Sequence, residues 1–422
     1  MKDVRGSNRK QQEVDLAVIR GFTQSRSSRR EFLRRSAAGA GALSLSAFLA
    51  ACGVQGTKQQ ASQKAQGKDW EAWWDKQKKQ GVLDFANWPY YIDTSHGKHP
   101  SLDRFEKATG IQVNYKPVIQ DNPSFFAKIR PSLEAGQAIG YDIIVITNGW
   151  QLTQLMDSGW LIPLDHRRLP NFGKHASGFV KSPSYDSGNE YTVAWQSGCT
   201  GIGYDPDKVG HEITSWKDLW DPRLKGKVGM MSDNTELGTA GMLALGIDPV
   251  SSTEDEWRNA AKYLQKQRDQ GIVRQYYDQS YIKALEDGDV WASMSWSGDI
   301  FQAKALGYPN LEFVVPDEGA ALWTDNMMIP VGAKHPLDAL IWMNYYYQPL
   351  IAAMVADWVN YITPVPASKQ IIAGQLKDPK VAQSPLVFPT PQMEKNFTEY
   401  YTFKNYDQFQ TWNSIFDPII QA

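Results

Sequence analysis

Residues 322–330, Leu-Trp-Thr-Asp-Asn-Met-Met-Ile-Pro, place an aromatic ring and an acid in an otherwise apolar run. In an extended segment, residues two apart project to the same face, so Trp323 and Asp325 present a ring and a carboxylate to one space. A buried carboxylate without a partner is costly. Either a Lys or Arg reaches it as a structural ion pair, or the space takes a cationic ligand. The same pairing of residue types recurs along the chain: Trp88 with Tyr90 or Tyr91, Asp233 with Glu236, and Trp296. Aromatic faces attract ammonium groups and stack on methylene chains, and carboxylates accept ammonium N–H bonds. Any one of these tryptophans could be core packing; their shared position at the ends of apolar runs favours a ligand. Asp299 reads only as an acid at a helix N-terminus, where the macrodipole favours it.

Patterns for catalysis are missing. The chain has no Gly-x-x-x-x-Gly-Lys-Ser/Thr phosphate loop, no Gly-x-Ser-x-Gly elbow and no His-Glu-x-x-His helix. The histidines at 96, 99, 166, 175, 211 and 335 lack metal-ligand spacing. Cys199, in Gln-Ser-Gly-Cys-Thr-Gly, reads as a small core or hinge residue. We expect no enzyme, no metal and no cofactor.

The elements that would hold these residues alternate. Strands are expected at 82–86, 111–116 (closed by Pro117), 141–147, 227–231, 290–295 and 311–315. Between them fall helices at 102–108, with Ser101 as N-cap and Gly110 as stop, and at 123–135. A capping box, Thr253 to Glu256, opens a helix to about 270, and further helices follow at 337–347 and 350–360. Strands and helices on this spacing imply an α/β sheet, on which ligands sit beyond the carboxyl ends of strands. Those ends carry Asn-Trp-Pro-Tyr-Tyr at 87–91 and Thr-Asn-Gly-Trp at 147–150.

At 422 residues the chain has room for two domains, and its net charge of −2 hides an asymmetry. The first 51 residues hold 10 of the 44 Lys and Arg but 4 of the 46 Asp and Glu, which leaves the body at −8. An acidic body argues against nucleic acid as a partner and suits cationic ligands. The 16 Trp and 19 Tyr suit the same ligands.

Arg29 and Arg30 precede a small, apolar run, 36–51, which is too short to span a bilayer and has the form of a signal-peptide core. The paired arginines resemble the twin-arginine export signal, and Leu-Ala-Ala-Cys resembles a bacterial lipoprotein cleavage box that ends on Cys52. Residues 54–67 read as a flexible tether, and 68–79 as a short helix whose Trp70, Trp73 and Trp74 pack on the body. With Cys52 lipidated, Cys199 is the one remaining thiol and no intramolecular disulfide can form.

From 83 to 422 the chain resembles the periplasmic spermidine/putrescine-binding proteins of bacterial ABC importers. The likeness rests on Asn-Trp at 87–88, Tyr-Asp-Ile at 141–143, Ser-Trp-Lys-Asp-Leu-Trp at 215–220, Ser-Trp-Ser-Gly at 295–298 and Leu-Trp-Thr-Asp at 322–325. It implies a two-lobed periplasmic-binding-protein architecture of α/β class. Each lobe would be a mainly parallel sheet covered by helices, with crossing hinge strands near Ala194 and Asp325 joining the two. On that pattern the signal peptide is 1–51, the tether with its short helix 52–80, lobe 1 is 81–193 plus 325–372, and lobe 2 is 194–324 plus 373–422. Trp88, Trp296 and Trp323 match cage aromatics, and Asp233, Glu236 and Asp325 match ammonium-binding acids. Thr147 matches a small hydroxyl residue, with Tyr90 and Tyr91 completing the expected site. The family carries an acid where this chain has Tyr90, so one carboxylate is absent unless Asp93 replaces it. The resemblance implies a monomeric, extracytoplasmic protein, lipid-anchored through Cys52, that hands a polyamine to an ABC permease. A neutral sugar or another cationic amine on the same fold, and an exported enzyme, are the alternatives.

Overall fold

The computed structural model describes residues 68–305 and 307–421. Arg29, Arg30, the 1–51 signal, Cys52 and most of the 52–80 tether lie outside the described residues. Among those described, no helix is long and apolar enough to cross a membrane.

Among the described residues, ten strands form one sheet: β1 (Val82–Asn87), β2 (Gln112–Pro117), β3 (Ile143–Thr147), β4 (Val193–Tyr204), β5 (Val228–Met231), β6 (Val273–Tyr277), β7 (Ala292–Trp296), β8 (Glu312–Val314), β9 (Ala320–Met328) and β10 (Phe397–Thr398). Their order is β2-β1-β3-β9-β4-β7-β5-β6, with β10 beside β9 and β8 beside β4. One end is parallel, β1 with β2 and β3; the other is parallel too, β5 with β6 and β7. The middle is antiparallel, because β9 pairs with β3 and β4, and β4 pairs with β7. Two parallel half-sheets are therefore joined by two long crossing strands. The crossings expected near Ala194 and Asp325 are adjacent, with Ala194 opposite Asn326 and Gln196 opposite Asp325 around a bulge.

Side-chain alternation explains how each half-sheet acquires two covered faces. Phe85, Ile143 and Val145 join one buried cluster, while Ala86, Ile144 and Ile146 join another on the opposite face. Ile202, Val228, Met230, Ala292 and Met294 build the second half's core with Leu237, Trp257, Leu264, Trp412 and Phe416. Ile372, Val381, Ala382 and Val387 pack with Ala353 and Ala356 of the helix Pro349–Val359.

Most local expectations agree within a residue or two. Thr253 and Glu256 form a capping box on the helix Glu254–Asp269. Gly110 stops the helix Pro100–Thr109 at φ 71°, and its N–H donates to Glu106 O at 2.8 Å. Trp74 is buried and donates its indole N–H to Pro163 O at 2.8 Å, so the tryptophan stripe packs on the body. One cap is corrected. Ser101 is not an N-cap: His99 holds that position, and Ser101 donates its backbone N–H to Asp93 Oδ2 at 2.8 Å and its hydroxyl to Oδ1. An acid from the preceding loop caps the helix in its place.

Candidate ligand site

The alternation expected of β9 is present. Trp323 and Asp325 share one face, while Thr324 and Asn326 use the other, bonding Ser197 Oγ at 2.8 Å and Tyr185 Oη at 3.1 Å. Asp325 is 5% exposed. Its Oδ2 accepts the Tyr91 hydroxyl at 2.6 Å and its Oδ1 accepts the Thr147 hydroxyl at 2.6 Å. Asn122 Nδ2 donates to Thr147 Oγ1 at 2.9 Å and so aims that hydroxyl. Burial pushes the carboxyl up to about 6, against the pull of the two hydroxyls. No Lys, Arg or His among the described residues pairs with it. The ion-pair alternative therefore fails.

A second acid stands further along the crossing strands. Asp233 caps the helix Asn234–Ala244, its Oδ1 accepting the N–H groups of Thr235 and Glu236 at 2.8 and 3.1 Å. That cap turns Glu236 inward. Its Oε1 accepts from Thr200 Oγ1 at 2.9 Å, Trp296 Nε1 at 3.0 Å and Tyr400 Oη at 2.7 Å. Its Oε2 is buried without a partner. Burial, with the charge of Asp233 second, pushes Glu236 up to about 7. Asp233 itself is exposed.

The offset of the two acids along β4 follows from register. Asp325 is opposite Gln196, and Glu236 is held by Thr200, four residues along β4, or roughly 13 Å at about 3.3 Å per residue. Midway, Gly198 faces Trp323. A Cβ at Gly198 would lie 2.4 Å from Trp323 Cζ2 and 2.9 Å from Tyr361 Cδ1, so the rings close onto bare backbone.

Around that midpoint the rings meet edge to face. Tyr361 lies 5.2 Å from Trp323 and 5.7 Å from Tyr91, and Trp323 lies 6.4 Å from Trp296. Trp323 is 6% exposed, and its Nε1 is buried with no partner.

Of the expected residues, the structure gathers Tyr91, Thr147, Glu236, Trp296, Trp323 and Asp325, with Asp233 at the rim as a helix cap. Trp88 packs beside it, against the apolar cluster that holds Tyr91, Trp323 and Tyr361, while Tyr90 lies at the surface. Trp88 donates its indole N–H to Val145 O at 3.1 Å and packs against the first half's cores. Tyr90 is 38% exposed at φ 59°. Asp93 cannot replace the absent acid, since both its oxygens are held by Ser101.

Sequence reasoning missed Tyr361, Tyr400, Thr200 and Gly198. Tyr361 had a readable signal: Asn360 ends its helix at φ 60°, and the next residues run extended into a bridge between Ser197 and Ile362. Tyr400 follows β10 and had no comparable signal.

The chemistry of this arrangement suits a cation. It offers two buried carboxylates that no charged side chain among the described residues pairs with, hydroxyls that orient them, and ring edges and faces between. Burial pushes the Cys199 thiol up to about 12, so it stays protonated near neutral pH. Asp84, Asp142 and His335 come together at the opposite end of β1 and β3. There Asp142 accepts the backbone N–H groups of Asp84 and His335 at 2.9 and 2.8 Å.

Comparison with known proteins gives the family. The chain is 28% identical over 316 residues to the spermidine/putrescine-binding periplasmic protein of Escherichia coli, covering 75% of this chain and 85% of that one. It is 29% identical over 339 residues to the putrescine-binding periplasmic protein SpuD of Pseudomonas aeruginosa, covering 76% and 86%. The solved spermidine/putrescine ABC transporter substrate-binding protein PotD of Streptococcus pneumoniae superposes with a TM-score of 0.69 at 24% identity, covering 80% of this chain and 98% of that one. The profile of the bacterial extracellular solute-binding proteins matches residues 101–389, and the chain belongs to that family.

Proposed function

We propose that this solute-binding protein captures a linear polyamine between its two half-sheets and delivers it to an ABC permease. The observation that carries the reading is Asp325, a buried carboxylate with two hydroxyl donors and no Lys, Arg or His partner among the described residues. Glu236, with one buried oxygen unpartnered, repeats that condition roughly 13 Å along β4. A ligand with ammonium groups at its ends and methylenes between matches two acids with Trp323 and Trp296 between them. Relatives named for spermidine and putrescine support the same chemistry.

The mechanism is closure. A ligand that touches both lobes binds the closed form better than the open one and shifts the population toward it. The lobes are 81–193 plus 325–372 and 194–324 plus 373–422, with residues 373–387 packing back on the first. Arg29 and Arg30 direct export, and Cys52 carries the lipid that holds a monomeric protein at the outer face of the membrane beside its permease. Binding and release complete the task, with no catalytic step.

Calorimetry of the mature protein against putrescine, spermidine, spermine and a panel of neutral sugars tests this reading. Saturable binding of an amine, with a smaller radius of gyration by X-ray scattering, is expected. Binding of a sugar and no amine contradicts it.

A further inference from the structure

The crossing strand β4 carries one residue more than its partner β9. Ala194 is opposite Asn326 and Gln196 is opposite Asp325, so Trp195 between them has no opposite number. Bulges of this kind bend a strand and re-aim a side chain. Two successive tyrosines at the end of the helix Pro336–Tyr346 bond the backbone around this one. Tyr347 Oη donates to Ala194 O at 2.7 Å, and Tyr346 Oη donates to Trp195 O while accepting from Gln196 Nε2 at 2.9 Å.

The side chain that the bulge aims is fully buried. The Trp195 ring lies 4.4 Å from that of Tyr346 and 5.8 Å from that of Phe85. Its indole N–H leaves this apolar packing to donate to the backbone carbonyl of Tyr91 at 3.1 Å. That bond falls on a segment, 88–93, that belongs to neither a strand nor a helix. Pro89 has no N–H to give there, and Tyr90 takes a positive φ of 59°. Ser101 holds the far end of the segment through Asp93, and Trp195 holds its middle. From that middle the Tyr91 side chain turns inward, its hydroxyl donating to Asp325 Oδ2 at 2.6 Å.

We infer that Trp195 is a positioning residue of the ligand site, acting through the Tyr91 backbone to aim the Tyr91 hydroxyl at Asp325. This inference rests on the polyamine reading and adds a residue to the acid's support. It also gives the bulge beside Asp325 a task, since a strand without the extra residue would present its side chains to the opposite faces from there on.

The test uses the mature chain with putrescine and spermidine as probes and follows affinity as a function of pH. Trp195→Phe keeps an apolar ring and removes the indole N–H. Tyr91→Phe keeps its ring and removes the hydroxyl that Trp195 aims. Each should weaken both amines by about tenfold. Each should also move the rise of affinity to higher pH, because burial holds the Asp325 carboxyl up, the Tyr91 hydroxyl offsets that, and an ammonium needs the carboxylate. The double variant should add little to either single loss. Should Trp195→Phe fail to fold, Tyr347→Phe, which loosens the bulge and leaves the indole in place, carries the same comparison. A folded variant that melts lower with wild-type affinity and pH profile, or losses that add in the double variant, overturns the inference and leaves the polyamine reading standing. A wild-type protein that binds neither amine overturns both.

Discussion

The indole N–H of Trp296 donates to Oε1 of Glu236 at 3.0 Å, which ties an aromatic from β7 to an acid from the first turn of the helix Asn234–Ala244. One oxygen of that acid is oriented by three donors while the other is buried and bare. The carboxylate is thus aimed but not neutralised, as Asp325 is at the other end.

Proton release on binding follows. Glu236 and Asp325 are pushed up to about 7 and about 6, above the ordinary carboxyl range, so the ligand-free fold retains protons that the unfolded chain has lost. Their contribution to ligand-free stability is fullest below about pH 4 and is lost as pH rises toward about 7. An ammonium ligand reverses the preference and expels those protons. Calorimetry at pH 6.5 in buffers of different ionisation heat should show protons released on binding, and affinity should rise between about pH 5 and pH 7. Binding with no proton release at pH 6.5 would show that the carboxylates do not meet the cation.

Gly198→Ala tests the closure of rings onto bare backbone. The added methyl lies 2.4 Å from Trp323 Cζ2, with Cys199 and Ser197 buried in the strand on either side, so the indole has to move. Overpacking of this kind costs about 1–3 kcal/mol of stability, and amine affinity should fall by at least about tenfold as the ring leaves its place. Thermal melts and calorimetry on one preparation read both. Wild-type affinity in the variant would mean that Trp323 does not wall the site.

The address is tested by fractionation. Cys52→Ser should release the protein from the membrane fraction, and Arg29→Lys with Arg30→Lys should block export. A Cys52→Ser protein still bound to membranes removes the lipid anchor from the account.

What the sequence revealed depended on how local the signal was. Trp323 and Asp325 were readable as a pair because strand alternation is a local property, and β9 is regular there. The same reasoning failed at Tyr90, where the chain leaves β1 through Pro89 and takes a positive φ of 59°, so alternation no longer tells which tyrosine turns inward. Tyr91 does. The long strand β4 was invisible as a strand because Gly198, Gly201 and Gly203 dilute its β-propensity, yet all twelve of its residues are buried. Those glycines are explained only by neighbours remote in sequence, such as the Trp323 and Tyr361 rings against Gly198. Tyr361 and Tyr400 reach the site through the Ser197–Ile362 bridge and through β10 beside β9, pairings between segments far apart in the chain. Asp299 was visible as a helix-terminal acid, but its inward turn depends on Tyr281 and Tyr361 and was not.

The most direct measurement is the affinity and melting temperature of Asp325→Asn, which keeps the shape of the side chain and removes its charge. A hydrogen bond to a charged group is worth roughly 1.5–3 kcal/mol, so amine affinity should fall at least about tenfold at about 1.4 kcal/mol per decade. Ligand-free, the variant should melt no lower than wild type at pH 7. Burial holds the native carboxyl up to about 6 with no cation to offset it, and its charge there destabilises the empty fold. Unaltered amine affinity in a variant that melts lower would make Asp325 part of the scaffold and contradict the account.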